Sequence, residues 1–300
     1  MAIWLKHAML SGAAAAALSL APASAQTVGV NATVVSDVKM TTQANPRMHP
    51  AVVKERVSLG NDIVTGRGGR LQVLLLDKTV FTVGANARMK VDRFVYDPNR
   101  KSSTVGVSVT KGAFRFMSGK PVRANPGQSG IRTPVASIGI RGTIVEGAVG
   151  RDAIRIARNQ PGLPAFKADP EQATLILLRG PGAGTQGDEH PGAIDVEAGG
   201  KTVSLTGSGY AVFIPGPGQE PIGPFLLGDW GQAYLSWLSG GGPFAIGTGP
   251  GEPGGWGDYT GEDDLLIFGD GLCAGGGAAG PLSDNISSGP LGGCGVTQPF

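Results

Sequence analysis

Any chemistry in this 300-residue chain would have to come from its histidines, cysteines, carboxylate pairs or arginines. Beyond His7 the histidines are His49 and His190, each beside a proline in a polar loop. Neither G-x-S-x-G nor H-E-x-x-H occurs, so no nucleophile or metal comes with a positioned base. Asp188-Glu189 and Asp263-Asp264 are adjacent carboxylates in glycine-rich or exposed segments, which cannot hold a fixed acid–base separation. Gly66-Arg67-Gly68-Gly69 is followed by strand-like residues rather than a helix and does not fit a dinucleotide loop. Cys273 and Cys294 lack a C-x-x-C pair and a His, Asp or Glu at ligand spacing, which leaves a zinc site incomplete. In an oxidising compartment they can close one disulfide loop of about 20 residues, worth about 3 kcal/mol. No catalytic residue, metal or cofactor is expected, and the chain reads as a non-enzyme.

The compartment follows from the start of the chain. Lys6, the apolar run Ala8–Leu20 and Ala23-Ser24-Ala25 form a signal peptide over residues 1–25, with a periplasmic or secreted product. The run is shorter than the roughly 18–20 residues that span a bilayer. Charge is split: residues 26–158 carry 21 Lys and Arg against 8 Asp and Glu, and residues 159–300 carry 3 against 15. A basic half in an envelope points to anionic glycans, lipid headgroups or the protein's own acidic half.

Glycine and proline supply 73 of the 300 residues, which excludes a helical bundle. From Val28 the sequence breaks every 8 to 12 residues at Gly, Asn-Pro or Asp-Pro, with short Val/Ile/Leu/Phe/Thr runs between. That spacing predicts an all-β domain of many short strands over residues 28–214, either an irregular β-solenoid or a sandwich. Val105, Val107 and Val109 alternate onto one face, and Ala113-Phe114-Arg115-Phe116 sets two rings opposite an arginine. Asp77-Lys78 and Gly199-Gly200 read as hairpin turns.

The order of these runs carries a resemblance. Val57–Gly66 with its Gly60-Asn61-Asp62-Ile63-Val64-Thr65-Gly66, then Arg70–Asp77, then Phe81–Ala87, resembles the FecR domain, as do Val109–Arg115 and Ile131–Thr143. The last contains Thr133-Pro134 and Arg141-Gly142-Thr143, matching that family's most recognisable element. The resemblance implies a binding or sensing module and marks Thr133, Pro134, Arg141, Gly142 and Thr143 as its binding motif. Pro134 forces Thr133 into an extended conformation. Arg141 is either buried and paired with an acid such as Asp77, Asp92 or Glu146, or exposed to a ligand. Arg115, Lys120, Arg123 and Arg132 are expected on one basic face. Only seven residues precede the apolar run, so the sigma-factor contact of the iron-uptake regulators is not expected here. The expected partners are an envelope protein or anionic glycan, without nucleic acid and without an integral membrane segment after signal cleavage.

Residues 215–300 read as a flexible, acidic, Gly/Pro-rich tail with a short helix near 229–239. Asp229 and Gln232 suggest a capping box, and Trp230, Tyr234, Trp237 and Leu238 fall on one helical face, either docked on the body or inserted into a partner's groove. A single Gly/Asp-rich stretch at 261–271 cannot stack as calcium repeats do. The chain thus reads as a non-enzymatic binding or sensing module of the bacterial envelope. The alternative is a structural or surface-assembly protein attached through its tail.

Overall fold

A computed structural model describes residues 26–119, 129–180 and 192–240. Among them are seventeen strands and two helices, an all-β fold with open sheet edges. The strands form two layers. Sheet I runs in the order β4 (Arg56–Ser58), β1 (Thr27–Val35), β6 (Arg70–Leu75), β7 (Val80–Val83), the second half of β9 (Ser102–Met117), β12 (Ile144–Val149), β13 (Thr174–Gly180), β16 (Tyr210–Ile214) and β17 (Ile222–Leu226). Sheet II runs β3 (His49–Pro50), β2 (Val38–Met40), β5 (Asp62–Thr65), β8 (Arg88–Asp97), the first half of β9, β10 (Ser129–Arg132), β11 (Ser137–Arg141), β14 (Ala193–Ala198) and β15 (Lys201–Leu205). Every pairing is antiparallel except β9 with β10.

The long strand β9 belongs to both layers because it turns at Gly112. There φ is +77°, and a Cβ would lie 2.4 Å from the Ala87 Cα, so only glycine fits. The turn also changes which residues face inward. Val105, Val107 and Val109 fill the core before it, and Phe114 and Phe116 fill it after, both packed on Phe81 at 6.2 and 6.0 Å between ring centres. Ile63, Met89, Ile138 and Val196 of sheet II share this core with Leu71, Phe81, Val145 and Ile176 of sheet I. In cross-section the domain is therefore a sandwich. Its winding is solenoid-like, since β10–β11, β12–β13, β14–β15 and β16–β17 are placed alternately in sheets II and I.

At the hairpin between β6 and β7, Lys78 takes φ +67°, where glycine is the usual occupant. Asp77 compensates: buried, it accepts bonds from the Thr79 amide and hydroxyl at 3.0 Å each and from Ser103 Oγ at 2.5 Å.

A third layer covers part of sheet I. Helix α1 (Arg151–Arg158) buries Ala153, Ile156 and Ala157, and helix α2 (Asp229–Ser239) buries Tyr234, Leu235 and Leu238. Together they seal Ala113, Ala148, Leu175, Leu177, Ala211 and Phe213. The ordered fold thus continues past Ile214: β17 pairs with β16, and α2 docks. The expected capping box does not form, because the N-cap is Gly228 and Gln232 Nε2 donates to the Leu227 carbonyl at 2.7 Å. Trp230 and Trp237 stay 38% and 41% exposed, and Gly231 and Leu235 take the inward positions instead.

Candidate functional site

Strand alternation sends every second residue of sheet II away from the core. On β9, β10 and β11 these positions include Gly106, Gly130 and Gly139, and the register aligns them, with Gly130 opposite both of the others. The same row continues to Arg93 of β8 on one side, and through Asp195 of β14 to Ser204 of β15 on the other. Three adjacent strands spaced about 4.8 Å apart thus present bare backbone, forming a trough between charged walls.

Packing explains some of these glycines but not all. A Cβ on Gly130 would meet the Ile138 carbonyl at 2.6 Å, and one on Gly106 would lie 3.0 Å from the Arg93 Cβ. At Gly139 the nearest atom would be the Asp195 carbonyl at 3.9 Å, ordinary contact, so the internal structure does not demand glycine there.

The walls are built locally. A register shift between Val91 and Arg93 leaves both Asp92 and Arg93 exposed, as a β-bulge does. Opposite, Arg141 Nη2 donates to Asp195 Oδ1 at 2.9 Å, both side chains being about 40% exposed. Ser204 Oγ donates to the same oxygen at 2.5 Å. Beside the trough lies a shallow depression of about 530 Å³ lined by Asp62, Arg88, Lys90, Asp92, Ser108 and Thr110. A second, of about 400 Å³, is lined by Arg132, Thr133, Ala136, Glu197 and Gly199.

Of the five motif residues, Arg141 alone forms a wall of the trough. Its acid is Asp195, not Asp77, Asp92 or Glu146, because β14 is the strand that pairs with β11. Thr133 and Pro134 make a turn, in which the Thr133 amide donates to the Ala136 carbonyl at 2.9 Å and Thr133 Oγ1 accepts from the Ala136 amide at 3.1 Å. Gly142, at φ +66°, starts the crossover from sheet II to sheet I. Thr143 is buried there: its amide donates to Ser118 Oγ at 3.2 Å, and that hydroxyl donates to the Thr143 carbonyl at 2.9 Å.

The expected single basic face is corrected. Arg132 points outward from sheet II, whereas Arg115 sits in the half of β9 that belongs to sheet I, on its outer side. There Arg115 and Arg179 flank the fully buried Glu146 at 3.7 and 3.1 Å. Lys120, Arg123, His190, Cys273 and Cys294 lie outside the described residues. His49 is on β3, with its Nε2 2.8 Å from Glu55 Oε1. The hydrogen bond to that carboxylate, helped by the Arg47 carbonyl, raises its pKa above the usual 6.5. Among the described residues no group of three or more His, Cys, Asp or Glu side chains is arranged to hold a metal.

Residues 61–157 match the family model described as FecR protein. This stretch is similar to a FecR domain. The match runs from the start of β5 into α1, and so covers the trough's floor and its Arg93 wall; the Asp195 wall lies beyond it. That match points to a regulatory or sensing role. No curated protein matches the chain. Two crystal structures, each of a candidate anti-sigma factor from Parabacteroides distasonis, are similar at 18% and 16% identity, with TM-scores of 0.37 and 0.36. Each match covers 60% of this chain and 64% or 65% of the other, so the chain spans less than two thirds of their length.

These findings correct the expected partner set. It excluded sigma-factor contact, and the match to the FecR family model removes the ground for that exclusion. The exclusion rested on the few residues ahead of the apolar run, and where a chain starts does not decide what its β domain touches.

Proposed function

We propose that this chain is an exported regulatory binding module of the bacterial envelope, and that the outer face of sheet II holds its protein partner. The observation that carries this reading is Gly139, a glycine that packing does not require, at the floor of a row of exposed backbone. A trough of bare strand between Arg93 and the Arg141–Asp195 pair suits an extended protein segment with polar or charged side chains. The signal-peptide pattern of residues 1–25 supports export. A sigma factor, named in the neighbours' description, is one identity such a partner can have, reached directly or through a relay across the membrane.

The test is capture of the partner from fractions of the native host by a chain bearing Gly139→Trp. A Cβ makes only ordinary contact at this position, so the fold is expected to survive, and the melting temperature verifies that. Capture should fall at least tenfold relative to the native chain and to a control changed at Asn99, which lies in the turn between β8 and β9. Undiminished capture by a folded Gly139→Trp chain overturns the assignment.

A further inference from the structure

On the opposite side of the sandwich, the two helices present a surface that the trough reading does not use. Arg151, Arg155 and Arg158 are spaced i, i+4, i+7 on α1, opposite its buried Ala153, Ile156 and Ala157, so they point away from the sheet. Among the described residues none of the three is in an ion pair with an acid. Beside them on α2, Trp230 and Trp237 stack on either side of Tyr234, at 5.1 and 5.9 Å between ring centres. Arg155 joins the two rows: its guanidinium lies 4.9 Å from the Tyr234 ring centre and 5.9 Å from that of Trp230. Of the nearby acids, Asp152 accepts the Tyr234 hydroxyl at 2.8 Å, and Asp229 lies in the first turn of α2.

We propose that this face rests on the surface of an anionic lipid bilayer. Three outward guanidiniums complement lipid phosphates, which they bind by paired N–H donors. Tryptophan and tyrosine beside them have the chemistry of the headgroup boundary, an apolar ring with one polar edge. Charge and aromatic residues thus combine as on helices that lie in a membrane interface. The helices form a layer over sheet I, while both depressions described above lie on sheet II. In this pose sheet II turns away from the lipid, and the trough stays open to its protein.

The experiment uses the full chain, sedimented with vesicles of phosphatidylcholine alone or mixed with phosphatidylglycerol. Binding is expected to the anionic vesicles only and to weaken as salt rises. An Arg151→Gln/Arg158→Gln chain should bind about 25-fold more weakly, near fivefold for each arginine. A Trp230→Ala/Trp237→Ala chain should lose binding at least tenfold, and brominated lipids should quench tryptophan fluorescence in the native chain. If the double tryptophan change alters the melting temperature, Trp237→Gln alone takes its place. Equal binding to neutral vesicles, no binding at all, or folded variants that bind as well as the native chain would each overturn the proposal. So would a chain that ignores vesicles but is retained on immobilised polyglutamate through the same arginines, which would make the partner an acidic protein.

Discussion

The outer faces of the two sheets are built by the same strand alternation and end up in opposite states. On sheet I the outward residues from β9 to β16 include Ala113, Ala148, Leu175, Leu177, Ala211 and Phe213, and two helices bury them. On sheet II the corresponding positions include Gly106, Ser108, Gly130, Ser137, Gly139, Asp195 and Ser204, and no helix among the described residues covers them. A sheet face becomes core or working surface according to whether its outward residues supply enough apolar area to hold another layer. The arginines follow the same division. Arg115 and Arg179 balance the buried Glu146 at the covered face, whereas Arg93 and Arg141 stand in solvent at the bare one.

The largest expected effect lies on the covered face. Leu235 is fully buried between α2 and sheet I, so Leu235→Ala should destabilise the domain by about 2–5 kcal/mol in denaturant unfolding. A loss well under about 1 kcal/mol would mean that α2 is a detachable addition and that the two faces are less different than described.

The bare face should divide its own glycines. Gly130→Ala drives a Cβ into the Ile138 carbonyl and should cost about 1–3 kcal/mol. Gly139→Ala brings a Cβ only into ordinary contact with the Asp195 carbonyl and should stay within about 0.5 kcal/mol of the native chain. Equal costs at the two positions would remove the distinction between a structural glycine and one kept for a partner.

A smaller effect marks the edge of sheet II. The raised pKa of His49 means that its bond to Glu55 adds stability in full below the unfolded value near 6.5, and that this is lost as pH climbs through the folded value. The stability gap between the native chain and His49→Gln should therefore be wider at pH 6 than at pH 8.5. A gap that does not change with pH would place His49 outside any ion pair.

How much of this was legible in the sequence depended on range. The alternation of Val105, Val107 and Val109, and the paired rings of Phe114 and Phe116, gave strand and facing directly, because both are local. The switch of facing at Gly112 was not legible, since it depends on a close approach to Ala87 that only the folded hairpin creates. Helix α1 was missed although Ala153, Ile156 and Ala157 carry the helical spacing, because eight residues with three outward arginines give too short a period to stand out among strands. The family resemblance located Arg141, but its acid comes from a strand 54 residues later. The glycine row was invisible for the same reason: it exists only through the parallel pairing of β9 with β10 and the antiparallel pairing of β10 with β11.

The most direct test compares the two sides of the sandwich in one experiment. A photo-crosslinking residue is placed in turn at Ser137, exposed on the trough side, and at Asn159, exposed at the end of α1. Each chain is irradiated in the native host. A discrete protein adduct formed from position 137, absent from position 159 and abolished by Gly139→Trp, is the expected result. The same adduct formed from position 159, or one from position 137 that survives Gly139→Trp, would contradict the assignment of the bare face as the binding surface.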